Sequence, residues 1–412
     1  MQPWERRLRD LSRLLRNCGD TYFSPDLFRQ NTNQFLQTSR TVTFIIQKNK
    51  GDIADYEDWY RDHVLAPWAS DKIMTWAKDS RNVIEKEGDL EMHSALSVVV
   101  LFSHEAAEDV EIKTTRPHLL QADINRIAKL AKEKLPPGIL DAAVLRLERR
   151  WVANSLPETE LVYALTYAYA RVFKVCQALA EHSGRTLDSS VPHPTSMDPS
   201  SKDVFKARYI KLGKPGLGRT ATLRIEKDPN FQPPLALVAL KQELESLPRP
   251  ASLIETVELI SKLARVTFLH HGNHVPMLFL FDEGWKQVDF LTTQFADQAD
   301  KFLFWRHAAS RAGYLHATAL VWVSESWMRD THSADDLPVR KMPIVGERLH
   351  VVGASASGET HVVQWNIKRD ATTDKPSLEA LPADEQQTEG AHIFFIRPVV
   401  AAMQASRAKS AG

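Results

Sequence analysis

Apolar residues recur every three or four positions through most of the first 185 residues, a period that commits nearly half of the chain to helices packed side by side. Trp4, Leu8, Leu11, Leu14 and Leu15 form the first set, spaced among arginines, with Gly19 where a C-cap falls. Phe28, Thr32, Phe35, Ser39, Val42 and Ile46 form the second, and its small hydroxyl residues predict a close helical neighbour. A third helical region spans residues 52–87, where Pro67 is expected to break or kink the helix and Gly88 to end it. Its aromatics Trp59, Tyr60, Trp68 and Trp76 read as core, with stacking on bases as the alternative.

The period then changes. SALSVVVLFS and DVEIKTT are β-branched and extended around an acidic turn, which predicts a hairpin. Helical spacing returns in LLQADINRIAKLAKEKL, stops at Pro136 and Pro137, and is read again through LDAAVLRLERRWVA and LPETELVYALTYAYARVFKVCQALAEHSG. Residues 186–203 are rich in Ser, Pro and Asp and read as a linker. Beyond them, KARYIKL and TATLRIEK flank a Gly-rich turn, and helices alternate with short apolar runs such as VPMLFLF and ATALVWVS. The expected architecture is α+β and multidomain: a helical bundle with a β-hairpin insertion over 1–185, the linker, an α/β domain with a mixed, partly parallel sheet over 204–400, and a flexible tail over 401–412.

Composition narrows the function classes. The 52 Lys and Arg residues balance 52 Asp and Glu, so a charged partner must be met by a local patch. Cys18 and Cys176 are too few for a disulfide scaffold or a thiolate metal site, which makes a reducing cytoplasm the expected compartment. The first twenty residues lack the apolar stretch of a signal peptide, and no run of 18 apolar residues is present to span a membrane. No cofactor is implied.

Four segments are candidates for chemistry. GKPGLGRT at 213–220 resembles a phosphate loop with Arg219 in the lysine position, but the residues after it read as strand, so a hairpin loop is the simpler account. His270, His271 and His274, with Asp282 and Glu283 downstream, offer ligand types that zinc accepts, and His270, His274 and Asp282 are the candidate metal set. Against that, Gly272, Asn273 and Pro276 end the helix and leave the histidines at its negative terminus. Glu325 and Trp327 follow an apolar strand, where ligand sites of open sheets lie, although a tryptophan covering a strand end is the plainer reading. Arg81, Asn82 and Lys86, with His93 further on, place cations at the close of a helix; Arg81 and Glu85 are also an ordinary surface pair.

FRQNTNQFLQTSRTVTFIIQK, YEDWY and RNVIEKEG together resemble the HEPN-type helical domain over roughly residues 5–185. That family contains ribonuclease toxins and inactive binding members. The resemblance implies a bundle that dimerises and brings two R-x(4–6)-H motifs together over RNA. Arg81 and Asn82 match the first part, while Lys86 stands where the histidine belongs, and a protonated lysine is a poor base. The reading is therefore a HEPN-like, RNA-associated binding or regulatory protein linked to bacterial stress or phage defence, with a homodimer, RNA and a protein as candidate partners. The alternatives are a metal-independent endoribonuclease toxin using Arg81, Asn82 and Lys86, and a hydrolase built on His274, Asp282 and Glu325.

Overall fold

The computed structural model describes residues 1–112, 121–197, 206–213, 232–246, 248–330, 342–370, 376–381 and 394–411. Contacts divide the chain into two units, Met1–Val100 with Val110–Gly218 and Leu101–Asp109 with Arg219–Gly412. Both contain helices and an antiparallel sheet, so the chain is α+β and multidomain, the expected class.

In the first unit, α1 (Pro3–Asp20) and α2 (Pro25–Lys48) pack against each other and against α5 (Leu161–His182), with the stripes predicted for α1 and α2 buried apart from the half-buried Leu14. The third helical region is broken as Pro67 requires. Residues Tyr56–Tyr60 are α-helical, Arg61–Leu65 form a single wide turn, Ala66–Ala69 contain the proline, and the regular helix α3 begins only at Lys72 and runs to Lys86. Trp59, Tyr60 and Trp76 are buried, as core residues.

The hairpin is present: β1 (Met92–Leu101) pairs antiparallel with β2 (Val110–Ile112). After the short helix α4 (Ile124–Lys134), the segment expected to resume as helix is instead strand β3 (Val144–Ala153). The reason is visible in its alternation. Leu145, Leu147, Arg149 and Trp151 point inward, while Arg146, Glu148 and Arg150 are only half-buried between them, a period of two that no helix satisfies. β3 also pairs antiparallel with β4 (Lys206–Lys211), giving the order β2-β1-β3-β4.

One polar knot fixes this core. The Tyr22 hydroxyl lies 3.0 Å from Glu160 Oε1 and 3.1 Å from the Arg149 carbonyl, and accepts from the Trp151 amide at 3.2 Å. Glu160 also caps α5 through the Tyr163 amide, and burial pushes its carboxyl up.

The second unit is a three-layer sandwich. Helix α6 (Leu235–Ser246) precedes α7 (Leu253–His271), and the strands are β5 (Met277–Phe281), β6 (Gln287–Thr292), β7 (Ala319–Arg329), β8 (Ile344–Ser355), β9 (Thr360–Arg369) and β10 (Pro376–Ala380). Their order is β10-β9-β8-β7-β5-β6. α7 covers one face through Leu253, Val257 and Phe268. On the other face lie α8 (Gln298–Tyr314) and α9 (Arg397–Ala411), which bring Trp305, Val399 and Met403 onto Trp322 and Val352.

Every pairing of this sheet is antiparallel, so the expected mixed sheet is corrected. The helix α8 does connect two strands that run the same way, β6 and β7. They are not neighbours, because β5 lies between them and is antiparallel to both. Alternation of helix and strand in sequence therefore did not translate into parallel pairing.

Candidate functional site

The sequence candidates are dispersed by the fold. Arg81, Asn82 and Lys86 lie on α3, where Arg81 donates to Asn82 Oδ1 at 3.3 Å and stands 4.0 Å from Glu85 Oε1. Its guanidinium also packs on the ring of Phe44 at 5.5 Å, a ring that Arg40 covers at 4.6 Å. Lys86 is exposed in the last helical turn, and His93 on β1 is bonded to Asn154 at 2.8 Å. Arg81 is thus a surface residue held by its own helix and α2.

His270 and His271 meet edge to face in the last turn of α7, which stops because Gly272 takes a left-handed conformation at φ 76°. His274 is buried, its Nδ1 is 2.8 Å from the Val275 carbonyl, and burial holds its imidazole below the usual range. Asp282 lies past the opposite end of β5, roughly 17 Å of strand away at 3.3 Å per residue. There it accepts from the amides of Gly284 at 3.0 Å and Lys286 at 2.9 Å. Among the described residues no three His, Cys, Asp or Glu side chains are grouped to hold a metal ion.

Glu325 does meet His274, but as an acceptor for its backbone amide. Arg369 lies 4.0 Å from the other oxygen of Glu325, pairs with Glu347 at 3.1 Å and donates to the Gly272 carbonyl at 3.1 Å. This cluster braces the end of α7 against the sheet. Trp327 leaves 63% of its surface exposed. Of the Gly-rich segment, Gly213 sits tightly against the Asp141 backbone, and residues 214–220 lie outside the described residues.

A cleft in the first unit gathers residues that no motif announced. It has a volume of about 510 Å³ and is lined at the start of α3 by Ser70, Asp71 and Lys72, and on the α5 side by Tyr163, Tyr167 and Arg171. The three α5 residues are four apart and share one face of the helix. Asp71 caps α3, its Oδ1 accepting from the amides of Ile73 at 3.1 Å and Met74 at 3.2 Å. Its Oδ2 accepts from the Tyr167 hydroxyl at 2.8 Å and from Arg171 Nε at 3.0 Å.

Asp71 is thereby saturated with donors. Partial burial, then the bond to Asp71, raise the Tyr167 phenol above its usual range. The bonds to Tyr167 and Asp71 keep Arg171 firmly protonated. With Nε and Nη2 committed to Asp71 and Tyr167, Arg171 Nη1 has no hydrogen-bond partner among the described residues, and neither has Lys72 Nζ. The cleft presents a guanidinium of fixed orientation beside a free ammonium, with Tyr163 and Tyr167 as its aromatic wall. Glu158, also on the lining, is the one carboxylate there without a bound cation among the described residues.

An α+β protein of two units, with a small polar cleft in the first, is the class that fold and site define. The chain belongs to the bacteriophage lambda protein ea47 family, whose match covers residues 1–204 and 239–410. It is 39% identical to the protein ea47 of Escherichia phage lambda over 405 residues, 98% of this chain and 97% of that relative. No solved structure matches it.

This membership overturns the HEPN-like reading and the functions drawn from it: the RNA-associated regulatory protein, the ribonuclease toxin and the defence role. The alternative hydrolase loses its site instead to the geometry, since Asp282 is spent on the Gly284 and Lys286 amides and Glu325 on the backbone amide of His274. The physical ground agrees. The first unit is no plain helical bundle, since a four-stranded sheet occupies part of it, and Arg81 is spent on Phe44, Asn82 and Glu85. Among the described residues no helix is long and apolar enough to cross a membrane, and both cysteines are buried free thiols.

Proposed function

We propose that this protein is a phage-encoded binding protein that takes a small anionic ligand, a carboxylate or a phosphate, in the cleft between the start of α3 and α5. The phage setting is extended from the relative. The observation that carries the reading is Arg171: its Nε edge is tied to Asp71 and Tyr167, so its remaining edge is presented to the cleft in a fixed orientation. Such preorganisation is what planar anion recognition by arginine requires, because little side-chain freedom is left to lose on binding. Lys72 adds a second positive charge. A volume near 510 Å³ lies within the range of small-molecule sites.

Titration calorimetry with phenyl phosphate and with inorganic phosphate tests the proposal. Phenyl phosphate is expected to bind with a dissociation constant of about 1 mM or tighter, and more tightly than phosphate alone because its ring meets Tyr163. Arg171→Gln and Lys72→Gln should each weaken binding about tenfold. Absence of heat with both probes, or an unchanged constant in Arg171→Gln, would remove the reading.

A further inference from the structure

A second charged feature of the first unit is independent of the cleft. On α1, Arg6, Arg9, Arg13 and Arg16 follow one another at steps of three and four, a line about 15 Å long at 1.5 Å per residue. Arg6, Arg13 and Arg16 are exposed, and none of the three has an ion pair among the described residues. Arg9 is half-buried and close enough to Asp188 to help keep that carboxyl below its usual range, after the larger effect of the Ser190 hydroxyl and amide.

The acids of the helix do not neutralise the line. Asp10 is paired with Arg7 at 3.3 Å, Glu5 is buried and 3.9 Å from Arg185, and Asp20 stands a turn beyond the last arginine. In a chain with equal numbers of acidic and basic residues, such a row is a local departure from balance.

We propose that this arginine row binds the phosphate backbone of duplex DNA, without reading its sequence. Phosphates of one strand follow one another at about 3.4 Å along the duplex axis, so the row spans roughly four of them. Guanidinium groups suit phosphate oxygens better than point-like ammonium groups do. A membrane surface is the poorer fit, because the apolar side of α1, Trp4, Leu8, Leu11, Leu15 and Cys18, is buried in the protein and has nothing to insert. Single strands are also a poorer fit, since α1 carries no exposed aromatic ring on which unpaired bases would stack. Contacts confined to phosphate carry no base information, hence the lack of sequence preference.

Fluorescence anisotropy with a labelled 20-base-pair DNA duplex decides the matter, using the full chain. Binding at 50 mM salt is expected to weaken about a hundredfold at 200 mM, the slope for some four phosphate contacts. The triple variant Arg6→Gln, Arg13→Gln, Arg16→Gln should lose at least tenfold in affinity and show a shallower salt slope, with its circular dichroism unchanged. Arg171→Gln should bind DNA like the parent, which separates this surface from the cleft. The proposal is overturned by no binding at 50 mM salt, by an unchanged triple variant, or by poly-glutamate or duplex RNA binding the row more tightly than DNA does.

Discussion

Arg306 and Asp109 meet as fork on fork: Nη2 lies 2.7 Å from Oδ1 and Nε 3.2 Å from Oδ2, with both side chains 11% exposed. The same guanidinium donates to the carbonyls of His104 and Ser103. In the second unit, one side chain of α8 therefore holds the segment Leu101–Asp109 at four acceptor atoms.

Removing one partner should cost far more than removing both. Asp109→Asn leaves a nearly buried guanidinium without its counter-charge, and a loss of about 3–5 kcal/mol is expected in urea unfolding. The double change Arg306→Met, Asp109→Leu should lose less than Asp109→Asn alone. A single-variant loss under about 1 kcal/mol would show the pair to be an idle surface bridge.

His104 gives the stability of this unit an acid limb. Burial, then the cations Lys301 and Arg306, lower its imidazole to about 4, and the rings of Phe302 and Phe394 stand edge-on at 5.1 and 5.2 Å. In the unfolded chain the same imidazole titrates near 6.5. Between those values the unfolded state binds the extra proton, so stability is full above about pH 6.5 and falls as pH drops towards 4. His104→Gln should remove that part of the slope, up to about 3 kcal/mol, when its stability is compared with the parent's at each pH. Parallel curves would exclude the group.

α7 crosses β8 over Gly353 so closely that a Cβ there would collide with Val257 and press on Leu253. Gly353→Ala should destabilise the second unit by about 1–3 kcal/mol, since a packed core yields poorly to an added methyl. Pairing it with Val257→Ala should restore part of the loss. An additive double variant would mean that the two positions do not touch.

Asp71→Ala should shorten α3 at its start, at a cost of about 1 kcal/mol for a lost cap. It should also free Arg171, so phenyl phosphate binding weakens although the substituted residue lies behind the ligand. Asp71→Asn retains an acceptor for the cap and should keep most of the stability while still weakening binding. Equal affinity in all three proteins would show that Arg171 needs no support.

The helices were legible because each carries its own evidence. Phe28 to Ile46 defines a stripe from α2 alone, and Gly272 ends α7 by a local requirement for positive φ. β3 reads as helix because LRLERRWVA mixes inward Arg149 with inward leucines, so polarity there does not mark the exposed face. The antiparallel sheet was hidden because strand order is a long-range property: β5 separates β6 from β7 although it precedes both. The cleft was illegible for the same reason, since Asp71 and Arg171 are a hundred positions apart. The spacing of Tyr163, Tyr167 and Arg171 on one helical face was the available signal. In the sequence the arginines of α1 read as flanks of an apolar stripe, and the HEPN likeness rests on a short motif whose arginine the fold uses elsewhere.

A single carboxylate at position 71 begins a helix with one oxygen and aims a cation with the other. Loss of that carboxylate therefore touches the start of the helix and the orientation of Arg171 together, because the same group serves both. Descendants that replace the acid with a residue unable to cap should show a rebuilt entry to α3 and an arginine free to turn elsewhere.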